Sequence, residues 1–105
     1  MPERFSATPE ETTAFAAELN QETPEIDLHG LQTDEALRSL DQAINHEFMN
    51  GAEAVRIIHG RGDGILRRAV QEHLRKQTEL IAYFRDSTAP GQQGGATIAV
   101  LHKRR

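Results

Sequence analysis

Two short apolar segments of this chain end in the same way. Glu25-Ile26-Asp27-Leu28-His29-Gly30 and Ala54-Val55-Arg56-Ile57-Ile58-His59-Gly60 both run into His-Gly, with the histidines thirty residues apart. Ile26 and Leu28 alternate with polar neighbours, which is strand periodicity, and residues 54–58 are mostly apolar and β-branched. The intervening residues 31–51 carry Leu37, Leu40, Ile44 and Phe48 on one helical stripe. Thr33 can cap that helix, Asp34 and Glu35 suit its positive start, and Asn50-Gly51 supplies a left-handed stop. Strand, helix and strand at this spacing form a crossover with parallel neighbouring strands and a right-handed connection. His29 and His59 then sit together at the carboxyl edge of one sheet, where open α/β sheets bind ligands.

The rest of the chain extends that unit. Residues 65–77 place Leu66, Ala69, Val70 and Leu74 on one helix face, residues 80–84 and 96–101 read as strands, and 85–95 form a polar loop. The expected fold class is α/β: a two-layer sandwich of order β-α-β-α-β-β, with a four-stranded mixed sheet and two main helices. Residues 25–105 form the domain. Residues 1–24 read as an acidic tail or linker holding a short helix, with Thr8 as cap and Pro9 at its first position.

At 105 residues there is room for one domain. No apolar run approaches the roughly 18 residues that a membrane span needs, so no membrane partner is expected. The absence of cysteine removes disulfides, thiolate zinc sites and cysteine nucleophiles. A cytoplasmic location fits these features. The net charge of −4 hides an asymmetry: residues 1–55 carry two basic side chains against twelve acids, and residues 56–105 carry ten against four. The second half suits a phosphate-bearing partner, DNA or RNA. Solvated helix faces that segregate by sequence are the plain alternative.

Residues 60–64 read Gly-Arg-Gly-Asp-Gly, which matches neither the dinucleotide fingerprint nor a P-loop. The loop joins a strand to a helix start. Gly60, Gly62 and Gly64 let backbone N–H groups approach an anion, and the helix dipole favours phosphate there. Arg61 lies in the loop, Arg67 and Arg68 lie in the first helical turns, and Asp63 is placed to cap the helix. A tight turn needs only one or two glycines, so phosphate contact is the favoured reading.

Asp27 and His29 are two apart on a strand and share a face. With His59 and the glycine loop they suit phosphodiester chemistry, with a histidine as general acid or base and Arg61 offsetting developing charge. Asp27 orients an imidazole or, as the one well-placed hard ligand, holds a divalent cation such as Mg or Mn. No array of histidine and carboxylate spacings marks a metal site. Structural strand-end histidines and a turn-forming Asp27 are the alternative.

At these residues the chain resembles the Smr (small MutS-related) domains, over about residues 25–101. "IDLHG" resembles the family's D-L-H-G motif, "IIHGRGDG" followed by "LR" its H-G-x-G motif, and "GGATIAVL" its glycine-rich loop and closing strand. Residues 34–45 and 54–74 look most like the C-terminal domain of MutS2 proteins. The resemblance implies a fold similar to the C-terminal domain of a bacterial translation initiation factor. It also implies nicking of DNA or cleavage of RNA, including mRNA on stalled ribosomes, by a whole protein or by the end of a larger chain. Carried over, Asp27, His29 and Gly30 match the first motif, and His59, Gly60 and Gly62 the second. Gly95 and Thr97 keep part of the third, whose leading glycines are here Gln92 and Gln93. MutS2 proteins often have arginine where this chain has His29. The open alternative is a non-catalytic module that binds DNA, RNA or the ribosome for a larger protein.

Overall fold

The computed structural model describes residues 7–104. In order, α1 is Pro9–Leu19, β1 Glu25–Asp27, α2 Thr33–Met49, β2 Ala54–Ile58, α3 Ile65–Lys76, β3 Ile81–Asp86 and β4 Ala96–Leu101. The strands form one sheet in the order β1-β2-β4-β3. β1 and β2 are parallel, with Asp27 beside Ile58, while β4 runs antiparallel to β2, with Ala96 beside Ile58. β3 is antiparallel to β4, with a register irregularity between Ile81 and Tyr83. The expected mixed four-stranded α/β arrangement is present. No helix among the described residues is long and apolar enough to cross a membrane.

The inner strands alternate between two cores. Val55, Ile57, Ala99 and Leu101 face α2 and α3, where Leu40, Ile44, Val70 and Leu74 meet them with Ile26 and Leu28. Ala54, Ile98 and Val100 point the other way and pack on Ala14 and Ala17 of α1. Burial on both faces explains why β2 and β4 are almost continuously apolar. It also adds a third helix, on the opposite face of the sheet, to the two expected in one layer. Residues 9–19, expected as a helix within a tail, pack directly on the sheet. Thr8 and Glu11 form a reciprocal capping box at the start of α1, in line with the Thr8-Pro9 pair.

Polar contacts fasten α1 in place. Arg56 is the one charged side chain in β2, and its side chain is only 7% exposed. Its guanidinium donates to Glu25 at 2.9 Å and to the carbonyls of Ala17, Glu18 and Asn20 at 3.0–3.4 Å. A cation thus satisfies the carbonyls left open at a helix C-terminus. The buried Glu18 carboxylate pairs with Arg85 and accepts from the Thr88 hydroxyl. β3 accordingly runs past the expected residue 84 to take in Arg85 and Asp86, whose side chains find partners on α1 and α3.

Two caps differ from expectation. Thr33 is the first helical residue of α2, and the cap is Gln32, with no side-chain bond. Gly64, at φ 85°, caps α3, and Asp63 accepts the Ile65 N–H from one position earlier.

Replacing Arg56 with alanine leaves the α1 carbonyls buried without a donor. Urea unfolding should show a loss of about 2–4 kcal/mol, a fall in Tm of roughly 10–20 °C at this size. In a chain lacking residues 1–20 the same substitution should cost much less, because its three carbonyl partners are gone and only Glu25 remains. Equal costs in both backgrounds would refute the clamp.

Candidate functional site

The parallel pairing of β1 with β2 continues one residue beyond β1, where Leu28 N–H donates to Ile58 O at 2.7 Å. The ends of both strands therefore stay side by side, and β4 begins at the same edge. Asp27, His29, the 60–64 loop and Gly95 are gathered there.

Asp27 and His29 form an exposed dyad. Asp27 Oδ1 lies 2.6 Å from His29 Nδ1 and also accepts the His29 backbone N–H at 3.2 Å. The two side chains are 58% and 67% exposed respectively. A carboxylate only accepts, so Nδ1 carries the hydrogen and Nε2 of the neutral ring is a free acceptor. The hydrogen bonds from His29 hold the Asp27 carboxyl below its ordinary range. The same contact raises the His29 imidazole above its ordinary value.

His59 is different. It is 4% exposed, and both ring nitrogens are engaged. Nδ1 donates to Gly60 O at 3.1 Å, and Nε2 lies 2.9 Å from the Thr97 hydroxyl. A carbonyl cannot donate, so Nδ1 carries a hydrogen, and in the neutral ring Nε2 accepts from Thr97. Burial lowers its pKa, in keeping with that. The position shared with His29 along the sheet edge was legible in sequence. The side chain, however, turns into the interior toward β4 and has no free nitrogen for proton transfer.

Thr97 is fully buried, and its hydroxyl accepts from Gln71 Nε2 at 3.0 Å while donating to His59. Gln71 also donates to Asp86 at 2.8 Å. Arg67 grips both oxygens of Asp86, at 2.8 and 2.5 Å. Hence Thr97, expected to contact phosphate, has its hydroxyl engaged inside the domain, and Arg67, expected to do the same, is half-buried and paired with Asp86. Neither Gln71 nor Asp86 stood out in sequence. The available signal was the Arg67–Gln71 spacing, which puts the two on one helix stripe.

The loop is open toward solvent. Gly60, Gly62 and Gly64 all have positive φ, at 80°, 33° and 85°, a region that side chains with a Cβ rarely enter. The His59 and Gly60 N–H groups both donate to Gly95 O at 3.0 Å, so the Gly60 amide is occupied. Beyond it, the Gly62 and Gly64 amides have no partner among the described residues. Arg61 folds onto the 85–95 loop, donating to the Gln93 carbonyl at 3.1 Å and to the Gly91 carbonyl at 2.9 Å. Its stem packs near Gly95. Arg68 is exposed, beside Gly64, with no acidic partner among the described residues. Gly30, at φ 80°, turns the chain after His29. No group of three or more His, Asp or Glu side chains placed to hold a metal occurs among the described residues.

This geometry has known counterparts. Residues 26–102 match the family described as the Smr domain. Among curated relatives, Endonuclease MutS2 of Symbiobacterium thermophilum is 40% identical over 81 residues, covering 77% of this chain and 10% of the relative. Endonuclease MutS2 of Staphylococcus epidermidis is 36% identical over 102 residues, covering 94% of this chain and 13% of the relative. This chain thus spans about a tenth of the length of these relatives. The crystal structure of the Smr domain of Thermus thermophilus MutS2 superposes with a TM-score of 0.71 at 37% identity, covering 76% of this chain and 99% of that one. The solution structure of the SMR domain of NEDD4-binding protein 2 gives 0.58 at 26% identity, covering 82% and 93%. With its two His-Gly strand ends and closing strand all inside the matched segment, the chain belongs to the Smr domain family.

Proposed function

We propose that this domain is an endonuclease that cleaves a phosphodiester bond of DNA or RNA with His29 as its general base. The carrying observation is the exposed Asp27–His29 contact of 2.6 Å beside a glycine loop at a helix start. Asp27 fixes the tautomer, so His29 presents a bare Nε2, and the carboxylate stabilises the imidazolium formed when that nitrogen takes a proton. The proton comes from the attacking oxygen, a ribose 2′-hydroxyl in RNA or a water in DNA. That oxygen bonds to phosphorus as the bond to the leaving oxygen breaks, and solvent protonates the leaving oxygen. The Gly62 and Gly64 amides, the α3 dipole, Arg68 and the remaining N–H groups of Arg61 stabilise the charge on phosphorus. A divalent cation, Mg or Mn, would find, among the described residues, only Asp27 as a carboxylate donor here.

Cleavage of labelled RNA, single-stranded DNA and supercoiled plasmid, with and without EDTA, tests this reading. Asp27→Ala and His29→Ala should each lower the rate by about 10²–10⁴-fold. Equal rates in wild type and both variants would refute it. Products ending in a 2′,3′-cyclic phosphate would identify RNA and the 2′-hydroxyl route.

The pH dependence follows from the dyad. A general base works when neutral, and Asp27 raises the His29 pKa. Activity should therefore climb with pH, with a midpoint above that of an ordinary histidine. In Asp27→Asn the midpoint should move to lower pH as the stabilising charge is removed. A midpoint that stays in place would separate the profile from His29.

A second reading is a binding module of a larger MutS2-like protein, for DNA, RNA or a ribosome. It is favoured by one observation: the exposed Arg68 and the open loop amides can hold phosphate without a histidine. Affinity for an oligonucleotide should then fall as salt rises. Arg68→Ala should reduce the slope of log K against log salt by about one for any sequence. Cleavage by wild type lost in His29→Ala would decide against this reading as the whole function.

A further inference from the structure

A row of hydrogen-bonded side chains runs from α3 and β3 into the loop beside His29, and no motif accounts for it. We propose that Gln71 and Asp86 are positioning residues for that loop, acting through Thr97 and His59. The proposal takes the site as read above, though its structural part holds whether or not the domain cleaves.

The hydrogen bonds can be directed one by one. Arg67 donates twice to Asp86 and so fixes its carboxylate. Gln71 Nε2 has two hydrogens, one for Asp86 Oδ1 and one for Thr97 Oγ1. With its oxygen accepting from Gln71, Thr97 turns its hydroxyl hydrogen to His59 Nε2. That leaves the His59 hydrogen on Nδ1, where it donates to Gly60 O. With the His59 ring neutral, each donor in the row meets an acceptor.

The far end of this row reaches the dyad. Gly60 lies so close to His29 that a Cβ built on it would sit 3.4 Å from His29 Cβ. The Gly60 N–H and the His59 N–H are held by one carbonyl, Gly95 O. The ring of His59 therefore braces the peptide against which His29 rests. A displacement of about 1 Å in such a support can cost about a hundredfold in rate. Gln71 is the pivot, because it is the only member that donates in both directions.

The test uses the full chain and NMR. In wild type, long-range histidine ¹H–¹⁵N spectra should show His59 as a single Nδ1–H tautomer, and the Gly60 amide should exchange slowly. Gln71→Leu removes both donors. It should accelerate Gly60 exchange about tenfold or more and mix the His59 tautomers, while the far-UV spectrum is retained. Gln71→Glu, which preserves shape but sets a second carboxylate against Asp86, should act in the same direction and serves if Gln71→Leu does not fold. Thr97→Ser should behave as wild type, and Thr97→Val as Gln71→Leu. If the domain cleaves, kcat should fall about ten- to a hundredfold in Gln71→Leu with KM little changed. Unaltered Gly60 exchange and an unaltered His59 tautomer in both Gln71 variants would overturn the proposal. Absence of cleavage in wild type would instead count against the endonuclease reading and leave these spectra to decide this one.

Discussion

The antiparallel pairing of β2 with β4 is the contact on which the other features rest. It sets Ala96 against Ile58 and Thr97 against Ile57 at the centre of the sheet. One step further along, Gly95 O accepts from both His59 and Gly60. The last strand in sequence is thereby pinned beside the second, and the residues before it reach the glycine loop. The register also decides which side chains meet. A slip of one residue would turn Thr97 to the α1 face and leave His59 Nε2 buried without a donor.

Charge in this domain is organised more by internal pairing than by a basic face. Arg56, Arg67 and Arg85 belong to the basic second half of the sequence, yet each is engaged with an acid: Glu25, Asp86 and Glu18. Two of those acids come from the acidic first half. Part of the sequence asymmetry is therefore the two sides of ion pairs that join the first segments of the chain to the sheet. Among the described residues, Arg61 and Arg68 are the arginines near the glycine loop without an acidic partner. A site with so few free charges depends more on backbone amides and close placement than on a broad electrostatic field.

The sequence made the sheet, the α2 and α3 faces and the paired strand ends legible, because each carries a local signature: period two, period 3.6, or a glycine stop. The Asp27–His29 contact was expected from i and i+2 sharing a strand face, but β1 ends at Asp27 and His29 lies in the turn that follows, where Asp27 also accepts its N–H. His59 shows where local signals end. Its position along β2 was readable, but the direction of its ring is set by Thr97, thirty-eight residues away in sequence. Arg67 looked like a phosphate ligand because helix starts attract anions, and Asp86, from an adjacent strand, captured it. The role of α1 was hidden in composition: acidic residues and proline suggested a tail, while Ala14 and Ala17 are small enough for the helix to lie close on the sheet.

The placement of α1 has a consequence for access. Pro9 and Glu10 line one cleft with Gly51, Glu53 and residues 101–104. The first helix thus begins, and the described chain finishes, at the end of the sheet remote from His29. Neither crosses the edge that carries the glycine loop. Among the described residues, Arg68 and the open loop amides at that edge are therefore left uncovered by both.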